Sequence, residues 1–183
     1  MKHYTITEWP VTHFFTADRH SAIIWLAIRL YVGWQWLSAG IEKLSNPAWV
    51  GADAGSALAG FIQGTLGKTG GAHPDVQLWY ASFLREAVLP NVHTWSYAVV
   101  AGECLVGAAL ICGFLVGLSA FFGGFMNLNF MLAGSVSTNP ILFTLAILLM
   151  LSWRVAGWLG ADRVILPLLA RRAFMRWLPI HLS

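Results

Sequence analysis

The chain has 183 residues, of which 57% are hydrophobic and only 10% are charged, whereas soluble domains usually carry about 25% charged residues. This balance excludes an ordinary soluble enzyme, and the length leaves room for one compact domain rather than two. The net charge of +3 comes largely from basic residues near the two ends and does not indicate nucleic-acid binding. We therefore expect residues 1–183 to form a single integral membrane domain.

Four long apolar stretches predict an all-α bundle of four transmembrane helices. They cover about residues 23–41, 95–116, 118–134 and 140–159. Each is close to the roughly 20 residues that a spanning helix needs. Helices are expected because the lipid core offers no water to unpaired backbone groups.

The connection between the first two stretches, residues 43–94, is the only long one. Asn46 and Pro47 should end the first helix, and Pro90 should end a second short helical piece near the far end of the connection. Neither piece in this segment is long enough to span a bilayer. We expect short amphipathic helices that lie on the outer leaflet and cover the mouth of the bundle.

The distribution of basic residues predicts the orientation. Six of them flank the bundle at its two ends, namely Lys2, Arg19, Arg163, Arg171, Arg172 and Arg176. The outer segment has only Lys43, Lys68 and Arg85. Because cytoplasmic segments carry the excess of Lys and Arg, both termini should be cytoplasmic, including a basic tail over residues 161–183. The chain should be a multi-pass protein of the cell membrane.

Two cysteines lie in the second apolar stretch and are not expected to form a disulfide. Cys104 and Cys112 are eight residues apart, which is about 12 Å along a helix. A disulfide needs Cα atoms within about 7 Å. The short GFLVG connection that follows predicts a tight hairpin between the second and third stretches, with its turn near Gly117.

Polar side chains from three predicted helices fall at one depth below the outer surface. At about 1.5 Å per residue, Glu103 lies about 12 Å deep and Gln35 about 10 Å deep. Asn127 and Asn129 lie about 6–9 Å deep on the third helix. A charge at bilayer depth costs about 2.5–3.5 kcal/mol, so Glu103 is a candidate functional residue.

Arginines form a second polar layer nearer the cytoplasmic side. Arg29 lies about 20 Å, and Arg154 about 21 Å, from the outer ends of their helices. Either side chain could extend to the inner headgroups, and Arg29 could instead turn inward toward Glu103.

Histidine positions argue against a haem or a metal centre. All six histidines lie outside the four apolar stretches, and there is no P-loop and no dinucleotide fingerprint. We expect no metal and no haem, so any redox chemistry would use a bound carrier or a partner protein.

Several segments resemble the DoxX family, and within it the DoxD-type membrane subunit of thiosulfate:quinone oxidoreductase. They are RLYVGWQWLSAGIEKLSNPAW at 29–49, FLREAVLPN at 83–91, GECLVGAALICG at 102–113, NLNFMLAG at 127–134 and AGWLGADR at 156–163. The resemblance implies a four-helix membrane bundle that oxidises thiosulfate to tetrathionate and passes electrons to membrane quinone. It also implies a second, smaller subunit, and association with further copies of this chain stays open.

The polar layer suits a quinone headgroup, because quinone reduction takes up protons. Glu103 could deliver a proton, and Gln35 or Asn127 could donate a hydrogen bond to a carbonyl. The residues predicted to be catalytic are Glu103 and Arg29. Those predicted to bind the quinone are Gln35, Trp34, Trp36, Asn127, Asn129 and Phe130.

Two other functions fit the same sequence. A non-catalytic anchor or assembly protein, such as one acting in redox stress, would dock a partner through residues 43–94. A small-solute carrier would use Glu103 as its coupling site, although four spans without an evident inverted repeat are few for alternating access.

Overall fold

The computed structural model describes residues 9–176, with side chains through residue 169. Within that part all regular structure is helical and there is no strand, which confirms the predicted all-α class. In chain order the helices are α1 (Pro10–Ala17), α2 (Ala22–Leu44), α3 (Ser56–Leu66), α4 (Leu78–Phe83), α5 (Val92–Cys112), α6 (Val116–Leu132), α7 (Asn139–Leu151), α8 (Trp153–Ala156) and α9 (Asp162–Arg176).

Helices α2, α5, α6 and α7 lie where the four apolar stretches were predicted, and they form one bundle. In this bundle α2 packs along α5, and α6 packs along both α5 and α7. Among the described residues, one continuous helical stretch, Leu78–Cys112, is long and apolar enough to cross a membrane. Helices α6 and α7 are apolar but shorter.

The fourth predicted helix, 140–159, is interrupted. Ser152 leaves the helical backbone region and separates α7 from the single turn of α8. The backbone carbonyl of Ser152 accepts from the N–H groups of Val155 and Ala156, at 3.0 and 2.8 Å, so a new turn starts there. The chain then turns back toward the start of α6.

Glycines bring α2 and α5 close together. A Cβ on Gly40 would lie 2.7 Å from the Cys104 Sγ, and a Cβ on Gly107 would collide with the backbone nitrogen of Leu37. Small residues at a helix interface allow this approach. Cys104 and Cys112 are both free, as predicted.

The outer segment has a small core of its own. Buried apolar side chains of α3, α4 and the turns after α4 pack against the end of α6 at Ala133. Thr65 donates its hydroxyl to the Ala133 carbonyl at 3.2 Å, and Lys68 donates to the Gly134 carbonyl at 2.9 Å. The segment is therefore fixed to the bundle as a cap.

The break predicted at Pro90 is wrong. Helical turns continue from α4 through a π-helical turn, Leu84–Val88, and a 3₁₀ turn, Leu89–Asn91, into α5. Pro90 lies in the first turn of the 3₁₀ helix, where its missing N–H is not needed.

The hairpin between α5 and α6 is confirmed, with its turn at residues 113–115 rather than at Gly117. Gly113 and Leu115 both have positive φ, at 67° and 44°. Asp162 accepts hydrogen bonds from the N–H groups of Leu115, at 2.6 Å, and Val116, at 2.8 Å. The carboxylate thus caps the first turn of α6.

The predicted basic tail is helical as far as Arg176, the end of α9. The side chains of Arg171, Arg172 and Arg176 lie outside the described residues, so the cytoplasmic placement of this tail stays a prediction.

Candidate functional site: a buried ion pair beside an aromatic cavity

Glu103 is buried inside the bundle on α5, with 1% of its surface exposed. Its two carboxylate oxygens accept hydrogen bonds from the Lys43 Nζ at 2.8 and 3.0 Å. The close contact of α5 with Gly40 brings the Glu103 Cβ beside α2, and Lys43 follows Gly40 by one turn. The buried carboxylate is therefore neutralised by a lysine of the neighbouring helix.

Lys43 is the functional candidate that the sequence analysis missed. We placed it at the start of the outer segment, whereas it belongs to the last turn of α2. Its side chain is 20% exposed and its Nζ lies 5.3 Å from the centre of the Trp49 ring. The signal for it was its position, because a four-carbon stem extending from the end of α2 can reach the depth of Glu103.

Asn127 lies on α6 at the level of Glu103. A Cβ on Gly102, next to Glu103, would lie 3.2 Å from the sulfur of Met126, next to Asn127. Asn127 is fully buried, and neither its amide oxygen nor its amide nitrogen has a hydrogen-bond partner among the described residues. Because buried amides are nearly always paired, Asn127 is a candidate for binding a polar group from outside the chain.

An aromatic row connects the centre of the bundle with the outer segment. The buried Trp36 ring stacks on Phe130, with 6.4 Å between the ring centres, and Phe130 contacts Phe61 of α3 edge-on at 6.2 Å. The Trp36 indole nitrogen, which also has no partner among the described residues, lies 3.0 Å from where a Cβ of Gly123 would be. Gly123, Asn127 and Phe130 share one face of α6, since they are four and three residues apart.

A cavity of about 230 Å³ lies between the outer segment and helices α5 and α6. Its walls are almost entirely apolar, with aromatic side chains contributed by Phe61, Phe83, Trp95, Phe125 and Phe130. Polar atoms are confined to one edge. There the Tyr80 hydroxyl donates to the backbone carbonyl and the side-chain oxygen of Asn129, at 3.0 and 3.2 Å.

Part of the cavity lining lies at the surface of the molecule. Its rim is apolar and outward-facing, because Phe83, Trp95 and Phe125 are 39%, 39% and 54% exposed. Its inner wall includes Met126, whose sulfur contacts the Gly102 position beside Glu103. The cavity therefore contacts α5 through Met126 at Gly102, the residue before Glu103.

The predicted binding residues divide into three groups. Asn129 and Phe130 line the cavity, and Trp36 and Asn127 lie behind Phe130 on the bundle side. Gln35 is half-buried on α2 and does not line the cavity. The remaining one, Trp34, is 61% exposed on the outside of α2, so the structure does not bring it to the others.

Arg29 does not approach Glu103. It is buried at the other end of the bundle, where its Nη1 and Nη2 each donate to a backbone carbonyl at 3.0 Å, of Ala156 and Leu159 respectively. Arg29 precedes Gly40 on α2 by about 16 Å along the helix axis. It connects α2 to the chain after α8 instead of facing the candidate site.

Among the described residues, no three His, Cys, Asp or Glu side chains come together in an arrangement that could hold a metal ion. Comparisons of the chain with protein-family models, with curated proteins and with solved structures found no match. The assignment of a function therefore depends on the site itself and on the sequence resemblance given above.

Proposed function

We propose that this chain is the membrane subunit of a quinone-linked oxidoreductase, held in the cell membrane as a four-span bundle with both termini in the cytoplasm. The observation that carries the proposal is the aromatic cavity, whose lining includes exposed apolar side chains and residues of α5, the helix that carries the buried Glu103 of the Lys43–Glu103 pair. Quinones are lipid-soluble rings with polar carbonyls, and they enter binding sites from the bilayer.

The outer surface of the bundle supports insertion in lipid. Large apolar side chains are exposed all along the long helices, including Leu105, Leu118, Phe121, Phe122 and Leu151, which are 49–69% exposed. Soluble monomers rarely expose contiguous apolar patches on this scale. In a bilayer such a surface contacts lipid tails instead of water, so its exposure does not destabilise the protein.

The residues of the cavity fit a quinone ring. Sites for drug-sized ligands usually have volumes of about 300–1,000 Å³. The aromatic cavity, at about 230 Å³, is smaller and suits one quinone ring with the first part of its tail. Phe130 and Phe61 offer aromatic surfaces. The Asn129 amide can donate to a quinone carbonyl, because it has a second N–H besides the one given to the Phe125 carbonyl.

Lys43 and Glu103 provide a route for protons. Quinone becomes quinol by accepting two electrons and two protons. Lys43 reaches the surface with part of its side chain, and its ammonium is hydrogen-bonded to the buried Glu103. A proton can therefore pass from water to Lys43 and on to Glu103, in the manner of general acid catalysis.

Thiosulfate is the electron donor in this proposal, as the resemblance to the DoxX family implies. Two thiosulfate ions each lose one electron and join through a new S–S bond as tetrathionate, and the two electrons reduce one quinone. A second small subunit, as the resemblance implies, would bind thiosulfate on the outer side. The outer cap of α3 and α4 is the surface nearest the cavity for such a subunit.

Filling the cavity should remove the quinone. We expect Ala98→Phe, at the cavity rim, to lower the quinone that co-purifies with the protein at least tenfold, because the new ring occupies the site. Quinone is measured by extraction and chromatography of protein purified from membranes. The matched control is Ala101→Phe, one turn along α5 and exposed outside the cavity.

Equal quinone content in Ala98→Phe and Ala101→Phe would contradict the site. A wild-type protein that retains no quinone, and whose membranes do not reduce added quinone with thiosulfate when both subunits are present, would favour the non-catalytic anchor.

Orientation is tested by cysteine labelling in a background with Cys104→Ala and Cys112→Ala. In intact cells an impermeant maleimide should label His73→Cys, in the exposed outer segment, and should not label Ser183→Cys at the end of the chain. The reverse pattern would show that the bundle is inverted. Labelling of both would show that the number of spans is not four.

A further inference from the structure

A second and larger cavity lies at the opposite end of the bundle. It has a volume of about 720 Å³ and lies between α1, α8 and the start of α9. Three arginines contribute to its walls, Arg19 from the turn after α1, Arg154 from α8 and Arg163 from α9. In the proposed orientation this end faces the cytoplasm.

Tryptophan rings hold two of these arginines. The guanidinium of Arg154 lies 5.3 Å from the centre of the Trp153 ring, and that of Arg163 lies 5.2 Å from the centre of the Trp158 ring. Such cation–π contacts orient the guanidinium and leave its N–H groups available to a ligand. Among residues 9–169, none of the three arginines forms an ion pair with a carboxylate.

The two carboxylates that face this cavity are already engaged. Asp18 accepts from the backbone N–H of His20 at 2.9 Å and pairs with its ring nitrogen at 2.7 Å, and these bonds hold the pKa of Asp18 below its usual value. Asp162 is buried and accepts two backbone N–H groups at the start of α6. Neither carboxylate neutralises an arginine through a direct contact, so the cavity keeps a basic wall.

We propose that this cavity binds the phosphate headgroup of an anionic phospholipid from the cytoplasmic leaflet. The planar guanidinium fork matches phosphate oxygens, and basic pockets at the cytoplasmic side of transmembrane helices suit anionic headgroups. Apolar side chains of Trp158, Leu166 and Pro167 lie beside the arginines in the same cavity. A ligand with a phosphate and acyl chains matches both features, whereas free phosphate matches only the arginines.

The proposal uses the membrane part of the proposed function and is independent of the quinone site. It is tested by native mass spectrometry of the full chain in a mild detergent, titrated with phosphatidylglycerol or phosphatidylcholine. We expect one phosphatidylglycerol to bind at least tenfold more tightly than phosphatidylcholine. The double variant Arg154→Gln/Arg163→Gln should lose at least tenfold of that affinity, since charge-assisted hydrogen bonds to phosphate are removed.

Arg85→Gln is the matched control, because Arg85 is an exposed arginine of the outer segment and should leave lipid binding unchanged. If the double variant does not fold, Arg19→Gln replaces it, with a smaller loss expected. Co-purified quinone is measured in every sample and should not change in these variants. A wild-type protein that contains no quinone but still prefers phosphatidylglycerol over phosphatidylcholine would therefore contradict only the proposed function.

Three results would overturn the lipid site. One is equal affinity for phosphatidylglycerol and phosphatidylcholine, and another is unchanged affinity in folded arginine variants. The third is displacement of the lipid by inorganic phosphate at concentrations similar to the lipid's own, which would indicate a free-anion site.

Discussion

Replacing Glu103 with Gln should lower quinone turnover by about 10²–10⁴-fold in a protein that still folds, the range usual for losing a general acid or base. Gln keeps the size and most of the hydrogen bonding of Glu103 but cannot release or accept a proton at neutral pH. Lys43 then loses its counterion, yet its side chain is 20% exposed and can turn its ammonium to water. Turnover is measured as quinol formation with thiosulfate in membranes that contain both subunits, and fold by thermal unfolding of the purified protein.

Lys43 allows the catalytic role to be separated from the structural one. Lys43→Met should destabilise the bundle by about 3–5 kcal/mol, because it leaves the 1%-exposed carboxylate of Glu103 unpaired. The double variant Lys43→Met/Glu103→Gln should regain most of that stability without regaining turnover. Recovered stability without recovered turnover would show that turnover needs the Glu103 carboxylate itself and not only a stable bundle.

Full turnover in a stable Glu103→Gln protein would overturn the catalytic role of Glu103 and leave the ion pair as a packing device. Full turnover in Lys43→Met, with Glu103→Gln inactive, would remove Lys43 from the proton route and retain Glu103.

Helical periodicity and apolar length were sufficient to predict the long helices, because a helix that is apolar on most of its surface has few alternatives at this length. The ends were harder. Pro90 looked like a stop, but a proline in the first turn of a short helix costs no hydrogen bond. The fourth helix ends at Ser152, where no proline or glycine marks the end in the sequence. The end instead reflects how the following chain packs around the α5–α6 turn.

Depth along each helix predicted that Glu103 and Asn127 would share a level, which the α5–α6 contact at Gly102 and Met126 supports. Depth does not give the rotation of a helix about its axis. Trp34 and Trp36 are two residues apart and therefore face different directions, one outward and one into the core. Depth shows that Lys43, at the end of α2, can reach the level of Glu103, but it does not choose between Lys43 and Arg29. That choice depends on where Gly40 lets α2 approach α5.

Replacing Arg29 with Met should destabilise the protein by about 3–5 kcal/mol, the other large effect that the structure predicts. The change removes two hydrogen bonds from a buried guanidinium and leaves the carbonyls of Ala156 and Leu159 unpaired, at about 1.5–3 kcal/mol for each charged hydrogen bond. Arg29→Lys should recover less than half of the loss, because a single ammonium cannot replace the guanidinium fork. The free energy of unfolding is measured by denaturant titration, with Arg85→Met as the exposed-arginine control.

Gly160 shows whether the loss comes from this contact. A Cβ on Gly160 would lie 2.6 Å from the Arg29 Nη1 and 2.8 Å from the Cα of Gly113. Gly160→Ala should therefore destabilise the wild type strongly and the Arg29→Met variant less, and this non-additivity is the coupling between residues in contact. If the stability losses of Gly160→Ala and Arg29→Met simply add in the double variant, the destabilisation by Arg29→Met does not come from this contact.

The same variants decide between the structural and catalytic roles of Arg29. If Arg29 only ties α2 to the chain after α8, folded Arg29→Met protein at low temperature should retain its quinone and its turnover, because Lys43, the partner of Glu103, lies about 21 Å away along α2. A variant that loses less than about 1 kcal/mol of stability but most of its turnover would contradict this role. Arg29 would then act in catalysis although it lies far from Glu103 in this structure.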